Sequence, residues 1–426
     1  MAIGIGIAGA GTVGGSLLRR LLEEHAVIEV KTGLDLEVRR VAVRDLSKSR
    51  PGIPADIITD DVMALVSDPE VALVVEVMGG LEPAGELVLA SLRAGKPVIT
   101  ANKELIAARG PELFAAAADA GVPLLFEAAV GGGIPIIRPL TETLAGEQVD
   151  RVLGIVNGTT NYILTSMADD GVGYQEALAA AQRLGYAEPD PTADVSGADA
   201  AAKAAILAGL AFGIWVAPDR IHTEGITDIT FADFKSAKQL GFVIRLLAVA
   251  ERRPDGVSVR VHPVMLPVDH PLAAIRGATN AIYIKGSSVG ELLFAGPGAG
   301  GEPTATAVLG DVIDAARKYL SGSQVAPAIK VEPGDVVDFG KVDTRWYLRL
   351  EVTDSPGVLS QIASAFADAG VSLGLVRQEG RGDSATLVLV THTAPEAAQQ
   401  AAVATLRALG VVETVASAIR VESEEA

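Results

Sequence analysis

Short blocks of small apolar residues alternate with stretches of helical spacing over the first third of the chain. Ala2–Ala8 is one such block, Gly14–Glu24 places its leucines on one face, and Glu37–Val43 returns to a block. Continuous blocks of this length predict buried strands, and three-to-four spacing predicts helices. Further blocks stand at Val71–Val77, Pro97–Thr100 and Pro123–Phe126, separated by helical stretches at Gly85–Arg93 and Pro111–Ala120. This alternation predicts an α/β fold with a parallel, doubly wound sheet. In such sheets ligands bind beyond the C-terminal ends of the strands. Two loops fall there, Met78-Gly79-Gly80 and Thr100-Ala101-Asn102-Lys103.

The rest of the chain changes rhythm. Asn157-Gly-Thr-Thr-Asn161 leads into a helix, and 242–250, 257–264 and 281–286 read as strands of a second sheet. A nearly all-apolar helix is expected from Ala198 to Trp215, and such a helix is buried rather than superficial. Gly296–Glu302 opens a helix to about Leu320, and the Ser, Gly, Pro and charge mixture of 321–344 reads as a linker. Beyond it, strand Trp346–Val352, a helix to Ala369, strands 372–377 and 385–391, a helix near 395–408 and strand 415–421 give a βαββαβ order, which is ferredoxin-like. That C-terminal unit holds no candidate catalytic cluster, so it is expected to bind a small regulator or a copy of itself.

Composition narrows the function. A chain of 426 residues is long enough for two or three domains. The net charge of −18 argues against nucleic acid and anionic membrane surfaces as partners. No cysteine is present, which excludes disulfides, thiolate metal sites and thioester chemistry. The N-terminus lacks a basic leader, and no uninterrupted apolar run reaches the roughly 18 residues of a membrane span. A cytoplasmic location is expected.

Gly9-Ala10-Gly11-Thr12-Val13-Gly14 sits between the first strand and the first helix. In that context G-x-G-x-x-G lets backbone approach a pyrophosphate placed on the helix N-terminus; the same residues also fit a plain tight turn. Arg44, followed by Asp45, Lys48 and Arg50, stands where an NAD-selective site carries an acid, so the cations favour NADP or use of both cofactors. Lys103 opens a helix, where a cation is disfavoured. The glycines of Glu127–Pro135 expose carbonyls that suit a hard cation, or form a hinge. The densest polar stretch is Gly185–Lys203, with Glu188, Asp190, Asp194, Asp199 and Lys203 set against an apolar helix. Asp199 and Lys203, four apart, share a face. Buried charge has to be paired or used, so the stretch fits either a functional site or an i,i+4 salt bridge with an acidic cap.

Taken in order, Gly9–Gly14, Thr100–Lys103, Glu127-Ala-Ala-Val-Gly-Gly-Gly-Ile-Pro135, Gly154-Ile-Val-Asn-Gly-Thr-Thr-Asn161 and Gly185-Tyr-Ala-Glu-Pro-Asp-Pro-Thr-Ala-Asp194 with Asp199 and Lys203 closely resemble homoserine dehydrogenase over roughly residues 1–320. Asp354-Ser-Pro-Gly-Val-Leu359 and the strand order around it resemble an ACT domain, an amino-acid-sensing module. The resemblance implies reversible NAD(P)H-dependent reduction of L-aspartate 4-semialdehyde to L-homoserine, on the route to threonine, methionine and isoleucine. It implies Lys203 and Asp199 as the catalytic pair, with Lys103 near the reacting carbon, and Glu188 and Asp194, with Asp199, on the substrate. Gly9, Gly11, Thr12, Val13, Gly14, Arg44, Gly79, Thr100, Lys103, Gly185, Gly301 and Glu302 would line the cofactor. Carbonyls of Glu127, Val130, Gly132 and Ile134 would hold a monovalent cation such as sodium.

The same resemblance sets domain limits at 1–128 for the dinucleotide, with 303–320 packing back on it, 129–302 for substrate and dimerisation, and 345–426 for regulation. It implies threonine as effector, a homodimer or homotetramer, and, with no kinase region before it, a monofunctional enzyme. A chain ending near Gly340 is expected to keep turnover. Two other readings stay open: a different amino-acid or sugar oxidoreductase on the same scaffold, and a non-catalytic regulatory homologue.

Overall fold

The computed structural model describes residues 2–322, 329–334, 336–380 and 384–422. By packing, the chain forms two compact units, each drawn from separate stretches. The first comprises 1–149, 205–218 and 280–334; the second comprises 150–204, 219–279 and 335–426.

Among the described residues the first unit carries a six-stranded sheet in the order Ile58–Thr59, Leu36–Ala42, Ile3–Ala8, Leu73–Glu76, Val98–Thr100, Leu124–Leu125. Every pairing is parallel. This is the doubly wound order in which a dinucleotide lies where the strand sequence reverses, beside Ile3–Ala8. Ile3, Ile5 and Ile7 share a core with Leu17, Leu18 and Leu21 of helix Thr12–Glu23 and with Ala305, Val308, Leu309, Val312 and Ala315 of helix Gly301–Ser321. The late helix thus completes the face of a sheet made by the first residues of the chain.

Several strand limits shift by up to three residues, and two helix limits move for identifiable reasons. The helix expected to start at Pro111 runs Lys103–Ala120 and accommodates that proline internally, because Asn102 caps its true start by accepting from the Leu105 amide at 3.1 Å. The helix expected to reach Trp215 is Ala198–Phe212. Gly213 turns it with φ +72°, and Trp215 lies in a two-residue strand with its indole donating to the Ala107 carbonyl at 3.3 Å. An added Cβ on Gly209 would stand 2.4 Å from that ring, so the site needs glycine.

In the second unit Val149–Ile155 runs antiparallel to Phe242–Arg253, which runs antiparallel to Gly256–Pro267. Val412–Val421 then pairs parallel to Gly256–Pro267 through Val264/Arg420 and Met265/Val421. The same strand runs antiparallel to Trp346–Thr353, followed by Ser384–Thr391 and Leu373–Glu379. The ferredoxin-like sheet expected at the C-terminus is therefore present and continues the middle sheet. Its open face is tied down as well: Arg349 donates to Asp233 at 3.1 Å and to Thr230 at 3.0 Å, at the start of helix Phe231–Leu240.

The described part of 321–344, expected as a linker, is paired and packed. Residues 323–328 and 335 lie outside the described residues. Val336 bridges Val257, Phe339 stacks on His222 with ring centroids 4.1 Å apart, and Asp343–Thr344 pairs with Ala394–Pro395.

Candidate active site

The first unit builds a site from missing side chains. After strand Ile3–Ala8, Gly9 adopts φ +109°, and a Cβ there would sit 2.7 Å from the Val77 carbonyl oxygen. A Cβ on Gly14 would sit 2.0 Å from the Gly9 carbonyl oxygen, so helix and loop approach as only two glycines allow. Gly11, at the N-cap, faces open space instead. No side chain caps helix Thr12–Glu23 and no acid stands in its first turn. Its free N–H groups and positive dipole end therefore face the direction an anion would take. Gly301, at the start of the late helix, packs on Thr12 and Ser16 with no room for a Cβ, and Glu302 pairs with Arg19.

Buried Glu76 organises the neighbouring loops, a role the sequence reading did not assign. Its carboxylate accepts from the amides of Met78 at 2.8 Å and Gly79 at 3.1 Å and from the Thr100 hydroxyl at 2.5 Å. Asn102 donates to the Gly80 carbonyl at 2.6 Å. Gly79, Thr100 and Lys103 are thereby set on two loops knitted together at the C-terminal ends of adjacent strands. A cleft of about 280 Å³ lies alongside, lined by Ala10, Gly15, Leu18, Arg19, Arg50, Gly52 and Ile53, among others. Arg50 is anchored by donating to the carbonyls of Asp45 and Lys48 at 2.9 and 2.8 Å. Arg44 is exposed and is not among the lining residues.

Glu127, expected beside a cation, is a structural carboxylate. It accepts from the amides of Ile136, Ile137 and Arg138 at 2.5, 2.7 and 3.0 Å. Its own amide donates to Asp311, which also pairs with Arg138 at 2.7 Å. Burial pushes the Asp311 carboxyl up to about 6, against the pull of the Glu127 amide and Arg138. Gly131 and Gly132 turn with φ +74° and +57°.

The second unit gathers the charged residues. Gly197, at φ +87°, ends the turn carrying Asp194 and opens helix Ala198–Phe212. On that helix Lys203 Nζ donates to Asp199 Oδ2 at 2.6 Å and to the Val156 carbonyl at 2.7 Å. Both side chains are about nine-tenths buried. Asn157 then joins the set: its Nδ2 donates to Asp194 Oδ1 at 2.7 Å and to Asp199 Oδ2 at 2.9 Å. Its Oδ1 accepts from the Thr160 amide at 2.8 Å and so caps helix Gly158–Asp170. Asp194, Asp199 and Lys203 are thus brought together through a residue to which the sequence reading gave no role, although Asn before Gly-Thr-Thr is an N-cap signal. Two of the three ammonium donors of Lys203 are used by the described residues, and the third is left for a further acceptor.

Glu188 and Gly185 stand apart from this network. Glu188 is exposed, and its backbone carbonyl accepts from Gln182 at 3.2 Å. Its loop is anchored where Thr159 donates to the Tyr186 carbonyl and the Tyr162 and Tyr186 rings meet at a tilt, 5.0 Å apart. Gly185, φ +78°, turns the chain just before it, in the second unit. Asp190 folds back on Thr192, whose hydroxyl and amide hold its carboxyl below the usual range.

No group of acidic and histidine side chains suited to a metal ion occurs among the described residues, and no described helix is long and apolar enough to cross a membrane.

Comparison with known proteins identifies the family. A family model described as "Homoserine dehydrogenase, NAD binding domain" matches residues 9–127, one described as "Homoserine dehydrogenase" matches 135–313, and one described as "ACT domain" matches 346–411. The chain is 47% identical over 428 residues to homoserine dehydrogenase of Corynebacterium glutamicum, covering 99% of this chain and 96% of that one. It is 47% identical over 431 residues to homoserine dehydrogenase of Mycobacterium tuberculosis, covering 99% and 98%. Its fold matches the crystal structure of a homoserine dehydrogenase from Thiobacillus denitrificans with a TM-score of 0.93 at 41% identity, over 99% of both chains. It also matches a hyperthermophilic archaeal homoserine dehydrogenase in complex with NADPH, with a TM-score of 0.64 at 30% identity, over 75% of this chain and 98% of that one.

Proposed function

The chain belongs to the homoserine dehydrogenase family of NAD(P)-dependent oxidoreductases, and on that premise we propose that it reduces L-aspartate 4-semialdehyde reversibly to L-homoserine, with Lys203 as proton donor. The observation that carries this reading is the Lys203–Asp199–Asn157–Asp194 cluster. Reduction of an aldehyde leaves an alkoxide, and a positioned ammonium both stabilises that charge and gives up a proton. Asp199 and the Val156 carbonyl hold Nζ in place, and the third N–H points the proton at the substrate oxygen. Asp194 keeps one carboxylate oxygen for the substrate ammonium while Asn157 fixes the other, and Glu188 adds a second carboxylate from its loop. In the reverse direction neutral Lys203 takes the hydroxyl proton.

The glycine loop fits a dinucleotide: Gly9 and Gly14 let strand, loop and helix backbones pack where a Cβ would clash, and Gly11 leaves open space at the uncapped helix N-terminus. Gly9, Gly11, Thr12, Val13 and Gly14 would hold the pyrophosphate, with Gly79, Thr100, Lys103, Gly185, Gly301 and Glu302 around the rest of the cofactor. When bound, the reduced nicotinamide supplies the hydride. Arg44 and Arg50 favour NADP(H) over NAD(H) by offering cations to a ribose phosphate. Because amides occupy the Glu127 carboxylate, a sodium ion would rest on the carbonyls of Glu127, Val130, Gly132 and Ile134.

We assign residues 1–128 with 303–320 to the cofactor, 129–302 to substrate and dimerisation, and 345–426 to threonine feedback. A cytoplasmic homodimer or homotetramer completes the reading. The test is oxidation of NADPH and NADH with aspartate semialdehyde and a panel of other aldehydes and keto acids, with and without threonine. Turnover with aspartate semialdehyde, faster with NADPH and slowed by threonine, is expected. Turnover confined to another carbonyl compound would overturn the substrate assignment.

A further inference from the structure

Arg420, on the last strand of the C-terminal sheet, makes a second buried charge cluster. It is 4% exposed. Its guanidinium donates to both oxygens of Glu224, at 2.6 and 2.8 Å, and to Glu396, at 2.5 and 3.2 Å. Its guanidinium carbon lies 5.0 Å from the Phe339 ring centroid and 4.8 Å from that of Trp346, so aromatic faces hold the cation as well. Glu224 also accepts from His222 at 2.7 Å. Burial works against its charge, but the bonds from His222 and Arg420 hold its carboxyl far below the usual range.

The strip that carries Glu224 lies against the turn that carries Asp194. The Glu224 amide donates to the Val261 carbonyl at 2.8 Å, and the Ile226 amide to the Val195 carbonyl at 2.9 Å. Between them a Cβ on Gly225 would sit 2.2 Å from the Val195 carbonyl oxygen and 2.9 Å from Ser196 Cα. From the other side a Cβ on Gly197 would sit 2.9 Å from a Thr223 methyl carbon and 3.2 Å from the Glu224 carbonyl oxygen. Two glycines are spent on bringing these backbones together, so no slack exists to absorb a shift of one without the other. The turn at 194–197 in turn fixes Asp194 and the start of the helix bearing Asp199 and Lys203.

We propose that Arg420, acting through Glu224, is a positioning residue for the substrate-holding Asp194, so that the C-terminal unit takes part in forming the amino-acid site. This rests on the assignment of Asp194 to the substrate ammonium. Without Arg420 the carboxylates of Glu224 and Glu396 lose their shared cation and repel each other, and the strip moves with the Asp194 turn. Neither residue belongs to the set assigned to substrate or cofactor, and the dinucleotide loop belongs to the first unit.

The test uses the full chain with Arg420→Met, Arg420→Lys and Glu224→Gln, reading separate Michaelis constants for homoserine and NADP and turnover at saturation. Arg420→Met is expected to raise the homoserine constant about tenfold, with turnover and the NADP constant within about two-fold of wild type. Arg420→Lys, which keeps the charge but not the two-pronged bond or the stacking, gives a smaller rise of the same kind. If Arg420→Met does not fold, Glu224→Gln and Arg420→Lys decide the matter by the same split. Folded variants with an unchanged homoserine constant, or with all three parameters falling in parallel, overturn the proposal while leaving the activity assignment intact. A wild-type chain inactive on homoserine and aspartate semialdehyde removes that assignment, and the proposal falls with it.

Discussion

Two buried clusters of opposite charges in the second unit, around Lys203 and Arg420, obey one rule and differ in what closes on the cation. Around Lys203 a compact ammonium meets one carboxylate and one carbonyl, and a donor remains. Around Arg420 the planar guanidinium meets two carboxylates through all three nitrogens, with two aromatic rings centred within 5.0 Å of its carbon. Burying charge is costly in either case, and partners offset the cost. A cluster less fully closed, next to loops, is equipped to act on something else. A cluster closed by two carboxylates and two rings serves to hold its surroundings. Among the described residues each cation leaves one N–H over, so neither charge nor donor count separates these roles; what closes on the cation does, two carboxylates and two rings on Arg420 against one carboxylate and one carbonyl on Lys203.

The comparison breaks first at Lys203. Loss of a general acid costs about 10²–10⁴ in rate, so Lys203→Ala is expected to lower turnover by that order with NADPH binding near normal. Lys103→Ala is the control, since Lys103 opens the helix after the Thr100 loop. Should Lys103→Ala abolish turnover and Lys203→Ala leave it within a few-fold, the proton donor is the other lysine.

The Arg420 cluster breaks next, and less cleanly, by removal of the C-terminal unit. A chain ending at Gly340 loses Arg420 and the strand paired with Val264 and Met265, leaving the Glu224 carboxylate bonded to His222. An uncovered strand edge also invites association. The truncated chain is therefore expected to show a homoserine constant raised at least as far as in Arg420→Met, together with concentration-dependent light scattering. Unchanged kinetics in a monodisperse truncated protein would mean that the C-terminal unit is a separable appendage, as its order of elements alone implies.

What the sequence made legible divides along the same line. Strand, glycine loop and helix are contiguous, so the Gly9–Gly14 turn and the sheet around it follow from local rules. Asp199 and Lys203 are one helical turn apart, and helical geometry alone brings them together. The βαββαβ order is likewise a property of neighbouring segments. Asn157 lies 37 and 42 residues from the carboxylates it bridges, and Arg420 lies 196 residues from Glu224. No periodicity encodes such encounters, because they depend on which loops the packed core brings face to face. Glu76 is similar: an apolar block ending in one acid gives no sign that the acid will accept from two amides and a hydroxyl. The proline in Lys103–Ala120 misled for a different reason, since one face of that helix is buried and the Trp215 indole donates to the Ala107 carbonyl that Pro111 cannot bond.

The smallest effect expected on activity separates the Arg420 cluster from a set in the first unit in which half-buried Arg138 serves the buried carboxylates Glu127 and Asp311. Glu224 is pulled down by its partners, whereas Asp311 is pushed up to about 6 from an ordinary 3.8 because burial outweighs Arg138 and the Glu127 amide. The signs follow from which state binds the proton. Between these two values the folded chain keeps the Asp311 proton and the unfolded chain has lost it, so raising the pH across that window removes stability, of order 2–3 kcal/mol for a shift of about two units. Glu224 works the other way, adding stability above its ordinary value that is lost as the pH falls below it. An Asp311→Asn chain lacks the titrating group. Its stability relative to wild type, from urea melts between about pH 4 and pH 7, should therefore climb in the variant's favour as the pH rises and level off above about 6. The substituted amide still offers an oxygen to one of the two donors, so a constant offset is expected on top of that slope. An offset with no slope would mean that Arg138, at 2.7 Å, keeps Asp311 ionised throughout, and that the first unit's buried pair is held as tightly as the one at Arg420.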